Sequence, residues 1–362
     1  MKLLYATSIT LPSPLANRIQ ILSMAEIFNQ RLGKDFYLGI GQSKSEKEFD
    51  GQMVIMESDL RSFFLAKAYL RYIKKNKFTH VFCREEKLLF FMIIFNWWFR
   101  TGVKFCYEIH YLEYLTKLWY RVILNKSDFI ISITEGMKNV LVNKNKCLAK
   151  KILVAPDAVD FDKFNLDLTV EEARLKTGLQ VERKIIMYTG SVFSWKGIDI
   201  LYQSAKEFSN DYLFVIIGGR DSWVKEFQVV HPETDNFKML GHKEHQEIPV
   251  YLKAADVLVL PNSDREEVSR ICTSPMKLFE YMAAGRPIVA SDLPSIREVL
   301  DEDSSVLVEP SDSLDLARGI KLVLSNQKLA ESIANQSFKK SRTYSWKARV
   351  DKIINFINND LA

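Results

Sequence analysis

The chain has 362 residues, 47% of them hydrophobic and 26% charged, a soluble globular composition with room for two domains. Cys83, Cys106, Cys147 and Cys272 are widely spaced and form no CxxC pair, which argues against a zinc site or disulfide framework and fits a reducing cytoplasm. Net charge is +5 but uneven: residues 1–165 hold 25 Lys/Arg against 16 Asp/Glu, and the remainder 25 against 29.

The first residues, Lys2-Leu3-Leu4-Tyr5-Ala6, run directly into polar, Pro-rich sequence, so no signal peptide is expected. Short apolar strands then alternate with helical patterns, which predicts an α/β architecture with parallel sheets. In the first half the strands are predicted at 2–7, 36–40, 80–83, 104–108, 129–133 and 151–154, with helices such as 17–32 and 113–125 between them. Residues 67–77 form a basic, aromatic-rich helical stretch. An apolar run, Leu88 to Phe99, follows, then Arg100 and Lys104. Twelve residues are too few to span a bilayer, which needs roughly 20. Two readings stay open for 67–104: a buried core helix with a solvated basic face, or a surface that leans on anionic lipid. Nucleic acid is disfavoured, because no binding motif accompanies the charge.

Around Pro156 the pattern pauses in turn-rich sequence, and a charged helix at 170–177 opens a second α/β series. Its strands are predicted at 184–188, 212–217, 237–240, 257–260, 288–290 and 305–308, and a helix at 198–208. The last helix, 346–358, carries Val350, Ile353, Ile354 and Ile357 at helical spacing and so packs on something. Two doubly wound units in tandem would place a cleft at the carboxyl ends of both sheets.

Two motifs in the second half carry chemistry. The first runs Thr189-Gly190-Ser191, then Trp195-Lys196-Gly197 at a helix entry. A Gly turn allows close backbone approach, and Lys196 brings a compact cation. It is not a P-loop, since no GxxxxGK[ST] is present. The second is Thr273 to Ser291. Ser274 is predicted as N-cap and Pro275 as the first helical residue, leaving the amides of Met276 and Lys277 to face an anion. Glu280 suits sugar hydroxyls better than phosphate, and Gly285 should end the helix. An ordinary capped helix with a solvated Lys and Glu is the bland alternative. Gly241 ends another strand and, with His242, could hold a planar base; His245 reads as an exposed loop residue.

With the Gly190…Lys196-Gly197 loop, the Gly241 turn, Ala254-Ala255-Asp256-Val257, the Ser274-Pro275-Met276-Lys277-Leu278-Phe279-Glu280-Tyr281 run and Tyr344-Ser345-Trp346 in view, the chain resembles the retaining glycosyltransferases of family 4 (glycosyl transferases group 1). That resemblance implies a GT-B fold, two Rossmann-like domains facing across a cleft. The acceptor-binding domain would be 1–165, with the helix 345–362 crossing back onto it, and the nucleotide-sugar domain 166–344. It also implies that Lys196 holds the donor diphosphate, that Glu280 binds ribose, that the amides of Met276 and Lys277 meet the phosphates, and that Gly241 and His242 lie at the base. Gly190, Ser191 and Ser274 would complete the donor site. Many relatives carry Arg at the position of Ser191 and Glu at that of Cys272, which leaves one phosphate contact and the sugar's identity open.

In the first half, Tyr107-Glu108-Ile109-His110 ends a strand, and His110 resembles the family's histidine near the transferred sugar; the plain reading is a satisfied core histidine. Asn17 and Arg18 open a helix after a loop where Pro12 and Pro14 replace a common glycine pair, which suggests a stiffer acceptor entrance. Arg84-Glu85-Glu86 and Thr134-Glu135 end strands with weaker claims. Asp160-Phe161-Asp162 spells a DxD but sits in a turn, so no metal or other cofactor is expected. The implied reaction moves a sugar from a nucleoside diphosphate-sugar co-substrate to a glycan or lipid-linked acceptor at the cytoplasmic membrane face. The rival readings are a sugar-nucleotide epimerase and a catalytically impaired binding protein.

Overall fold

The structure, a computed structural model, describes residues 1–11, 16–43, 49–56 and 62–359. Pro12 and Pro14, expected to stiffen the first loop, lie outside the described residues. The chain divides into two units, Met1–Asp157 with Trp346–Ala362, and Ala158–Ser345.

The first unit contains β1 (Leu3–Ala6), β2 (Thr10–Leu11), β3 (Phe36–Ile40), β4 (Gln42–Ser43), β5 (Met53–Ile55), β6 (His80–Cys83), β7 (Lys104–Ile109), β8 (Phe129–Ser132) and β9 (Ile152–Val154). Seven of them form a parallel sheet in the order β5-β3-β1-β6-β7-β8-β9, while β2 pairs with β4. The order reverses direction between β1 and β6, the point at which open α/β sheets bind ligands. Strands such as β1 and β8 are buried at every residue, as a sheet covered by helices on both faces requires. The helix Trp346–Asn358 belongs to this unit. Its Val350, Ile353 and Ile357 are buried, Phe356 meets Phe129 edge-on at 5.6 Å, and Asp351 takes a two-pronged ion pair from Arg31 at 2.6 and 2.8 Å.

The second unit contains β10 (Lys184–Thr189), β11 (Tyr212–Ile217), β12 (Phe237–Met239), β13 (Val257–Leu260), β14 (Ile288–Ser291) and β15 (Val306–Val308), in the order β12-β11-β10-β13-β14-β15. All neighbours described are parallel. Side-chain alternation splits each strand between two cores. Ile185 and Met187 of β10 join one cluster and Ile186 and Tyr188 the other.

Two expected helices need correction. The helix expected at 113–125 begins at Leu118, because Leu115 and Lys117 donate to carbonyls three residues back and make turns instead. The helix expected at 198–208 is Ile198–Ala205, followed by turns of the same three-residue kind. The short strands β2, β4 and β5 have no predicted counterpart.

Candidate functional site

In the second unit the chain leaves β10 through Gly190, whose φ of 129° is open to glycine. A Cβ there would stand 2.8 Å from the Lys277 Nζ, so the missing side chain is what lets that ammonium reach the turn. Tyr281 ties the turn to the helix Met276–Ala284: its hydroxyl oxygen accepts from the Thr189 amide at 2.7 Å. The Tyr188 hydroxyl donates to the Ser191 carbonyl at 2.8 Å. The chain then makes a 3-10 turn, Ser194–Lys196, and enters the helix Ile198–Ala205 at Gly197. Gly197 has a φ of 72°, and a Cβ would fall 1.7 Å from the Pro261 carbonyl oxygen. No other residue fits there.

This packing buries two lysines. Lys196 is 8% exposed, with its Nζ 3.7 Å from the centre of the Trp195 ring. Burial pulls its ammonium down to about 7. Lys277, also 8% exposed, lays its Nζ 3.6 Å over the Tyr188 ring, and that nitrogen has no hydrogen-bond partner among the described residues. Burial first, and then the charge on Lys196, hold Lys277 well below the ordinary lysine range, with Glu280 opposing. Two buried lysines in one turn-and-helix site, one of them without a hydrogen-bond partner among the described residues, would be satisfied by an anion.

The helix Met276–Ala284 supplies more positive potential, since amides of its first turn have no partner within the helix. Its start differs from expectation. Pro275, at φ −77° and ψ 125°, is the N-cap, and no side chain caps the helix. Ser274 is buried one residue before and does not cap. Met276 and Lys277 are thus the first two helical residues, and Gly285 closes the helix in the left-handed region at φ 66°. The solvated Lys and Glu of the bland reading do not hold, because Lys277 and Glu280 are both buried.

Glu280 Oε1 lies 2.9 Å from His245 Nε2, so His245 is a partner of the site and not the exposed loop residue expected. Its ring rests on Phe164 at 5.5 Å. Gly241 turns at φ 67° with open space where a Cβ would be, and its carbonyl accepts from the Gly218 amide at 2.7 Å. His242 stands exposed beside it, 3.7 Å from Glu244. At the carboxyl end of β13, Asn262 and Ser263 are fully buried, with polar side-chain atoms that lack partners among the described residues. The Ser263 amide donates to the Trp195 carbonyl at 3.0 Å. Cys272 is buried, and burial pushes its thiol up to about 12, so it is no reactive thiolate.

The first unit holds a second polar cluster. Glu108, fully buried at the end of β7, receives Arg349 Nη2 at 3.0 Å on Oε2 and Gln20 Nε2 at 3.1 Å on Oε1. His110 Nε2 lies 2.5 Å from the same Oε1. Gln20 Nε2 also donates to Asp157 at 2.7 Å, and Arg84 donates to the Gln20 side-chain oxygen. Arg349 further donates to the Pro156 carbonyl at 2.8 Å and the Ala155 carbonyl at 3.2 Å. Burial works to raise the Glu108 carboxyl, yet Arg349, His110 and Arg84 together hold it well below the usual range. Burial, aided by the Arg84 charge, lowers His110 to about 4. Asp157 is raised to about 6 by burial, with Arg349 opposing and Glu108 adding.

His110 is consequently neutral at pH 7. Its Nε2–H donates to the ionised Glu108, which leaves Nδ1 as an acceptor. Asn17 and Arg18 sit half-buried in the first turn of the helix Ala16–Leu32, which also carries Gln20, and Asn17 Oδ1 is buried without a partner among the described residues. Asp160 of the DxD pairs with Lys163 at 2.8 Å. Among the described residues no group of three His, Cys, Asp or Glu is arranged to hold a metal.

Residues 169–340 match the profile of the family described as glycosyl transferases group 1. The matched segment is nearly all of the second unit, and over it the chain is similar to that family. A D-inositol 3-phosphate glycosyltransferase of Xylanimonas cellulosilytica is 28% identical over 61% of this chain and 54% of its own length. A 2-deoxystreptamine glucosyltransferase of Streptomyces kanamyceticus is 29% identical over 56% of this chain and 52% of its own. The chain thus spans little more than half the length of these curated relatives. Among solved structures, Anabaena Alr3699/HepE in complex with UDP-glucose superposes with a TM-score of 0.80 at 16% identity, covering 99% of both chains. WaaG, a glycosyltransferase involved in lipopolysaccharide biosynthesis, gives 0.72 at 13% identity over 99% of this chain and all of WaaG. The fold is GT-B.

Proposed function

We propose that this protein is a retaining glycosyltransferase that moves a sugar from a nucleoside diphosphate donor to a hydroxyl of a glycan or lipid-linked acceptor, without a metal ion, in cell-surface polysaccharide or glycolipid synthesis. The observation that carries this reading is the buried Lys196–Lys277 pair beside the start of the helix Met276–Ala284. A diphosphate there would meet both ammonium groups and the first-turn amides. Lys277 also stands in for the arginine contact that Ser191 lacks. As the glycosidic bond breaks, negative charge gathers on the leaving diphosphate, and fixed cations aimed at it lower the barrier. The sugar develops oxocarbenium-like charge. The acceptor's proton passes to a diphosphate oxygen on the same face, which gives retention. Gly190 and Ser191 border the phosphates, Gly241 and His242 the base, Asn17 and Arg18 the acceptor.

Glu280, held by His245, accepts the ribose hydroxyls. Glu280→Ala is expected to weaken donor binding by about 2 kcal/mol, and His245→Ala by roughly a third of that, read by titration calorimetry. Equal donor affinity in Glu280→Ala and the native protein would remove the ribose role.

His110 acts on the transferred sugar as a neutral imidazole. His110→Ala should lower kcat about 100-fold while donor affinity stays unchanged. With its nitrogen held near 4, the rate should show no acid limb from this group between about pH 5 and 7. A limb in that window that disappears in His110→Ala would contradict the neutral assignment.

A panel of nucleotide sugars, uridine nucleotides first because HepE was solved with UDP-glucose, tests the whole reading by thermal shift. The matching donor should raise the melting temperature by mass action. Incubation with donor alone, followed by product analysis, separates transfer from epimerisation. No shift with any nucleotide sugar would overturn the proposal.

A further inference from the structure

In the first unit the helices Ser62–Asn76 and Glu86–Phe99 bury one face each, through residues such as Leu70, Ile73 and Leu89. Their outer side is unusual. Trp97 is 71% exposed, Trp98 65% and Phe64 52%. The two tryptophans lie edge to face with ring centres 5.1 Å apart. Residues 62–104 hold nine Lys/Arg against two Asp/Glu. Where the two helices end, a cavity of about 370 Å³ opens, lined by Lys74, Lys77, Arg100, Lys104 and His80, with no Asp or Glu among its lining residues. The carbonyl ends of the two helices attract cations and account for part of this charge. They do not account for a neighbouring pair of tryptophans held out in water.

We propose that this end of the first unit docks on a membrane carrying anionic lipid, with Trp97 and Trp98 seated at the interface and a headgroup phosphate in the cavity between Lys74, Lys77, Arg100 and Lys104. Aromatic rings beside a cationic surface match the layered chemistry of such a bilayer: acyl boundary for the indoles, phosphate for the ammonium and guanidinium groups. None of the described helices is long and apolar enough to cross, so contact is peripheral and reversible. The inference is independent of the sugar donor and stands or falls without it.

The full chain is sedimented with vesicles of phosphatidylcholine alone, or with roughly one-third phosphatidylglycerol. It should pellet with the anionic vesicles only, release as salt rises, and shift its tryptophan emission to the blue on binding. Two double variants test the parts, Trp97→Ser with Trp98→Ser, and Lys77→Gly with Arg100→Gly. Lys77 and Arg100 have φ values of 56° and 47°, which glycine adopts freely, so the second variant keeps the fold and removes only charge. Each should weaken vesicle binding roughly tenfold or more, with the melting temperature and the nucleotide response unchanged. No sedimentation, equal sedimentation with both vesicle types, or full binding by both variants would overturn the proposal. So would stabilisation by inorganic phosphate without vesicle binding, which points to a soluble anion. A dimer abolished by the tryptophan variant, without vesicle binding, would overturn it in favour of a second copy.

Discussion

Replacing Lys196 with Met is expected to lower turnover about 10³-fold, the loss that follows removal of one fixed donor aimed at developing negative charge. The same change should make the ligand-free protein more stable. Lys196 is buried, and burial depresses its ammonium to about 7. A lysine titrates near 10.4 in the unfolded chain, so below that pH the unfolded state binds the proton more readily than the folded state. Folding therefore bears a cost that is full below about pH 7 and vanishes as pH rises toward about 10.4. Met fills a similar volume without this cost. At neutral pH the variant should gain on the order of a few kcal/mol, seen as a higher melting temperature. A variant that loses both stability and activity would mark Lys196 as a structural residue, and one that retains turnover would end its role in the transfer.

The second large effect is in the first unit. Arg349→Ala should destabilise the protein by roughly 3–5 kcal/mol, because Glu108 is fully buried and loses its strongest opposing charge. The guanidinium also satisfies the carbonyls of Ala155 and Pro156, which would be left without it. Because Glu108 is held far below its ordinary range, its stabilising contribution is present above about pH 4.3 and fades as pH falls further. Arg349→Ala should flatten that acid dependence as well as lower stability. Glu108→Gln combined with Arg349→Met should recover much of the loss, since no lone charge remains buried. A small, pH-independent effect of Arg349→Ala would show that the cluster is not coupled as drawn. His110 reads this network directly, so transfer in partly folded variants should fall with it.

Much of the architecture was legible in sequence. Continuous apolar segments such as Val257–Leu260 separated by helical patterns announce buried parallel strands, and Gly285 announces a helix end. Strand order was not legible, since it depends on which segments pair across the chain. The short strand Met53–Ile55, only half-buried, lacks the apolar signal that marks its neighbours. In the site, the Gly190 turn, Lys196 and the exposed end of the helix Met276–Ala284 could be read locally. The Lys277 side chain could not, because its value comes from the hole at Gly190, 87 positions away in sequence. Arg349 and Glu108 are separated by 241 residues, and Gln20 and Asp157 by 137; no spacing rule brings such groups together. His245 looked like loop polarity until Glu280 was found within hydrogen-bond reach. At Ser274 a local rule was outweighed: Pro275 took the extended backbone that an N-cap needs, and the helix began one residue later.

The most direct test of the diphosphate clamp is the number of protons taken up when UDP binds at about pH 8, measured by calorimetry in buffers of different ionisation enthalpy. With Lys196 near 7, its amine is largely neutral in the empty protein at that pH, and a bound diphosphate should recharge it; burial lowers Lys277 too, which adds to the effect in the same direction. Uptake of at least about one proton is expected, with an affinity that weakens as pH climbs above about 7 and a loss of about one proton in Lys196→Met. Tight binding with no proton uptake, or with uptake unchanged in Lys196→Met, would contradict it.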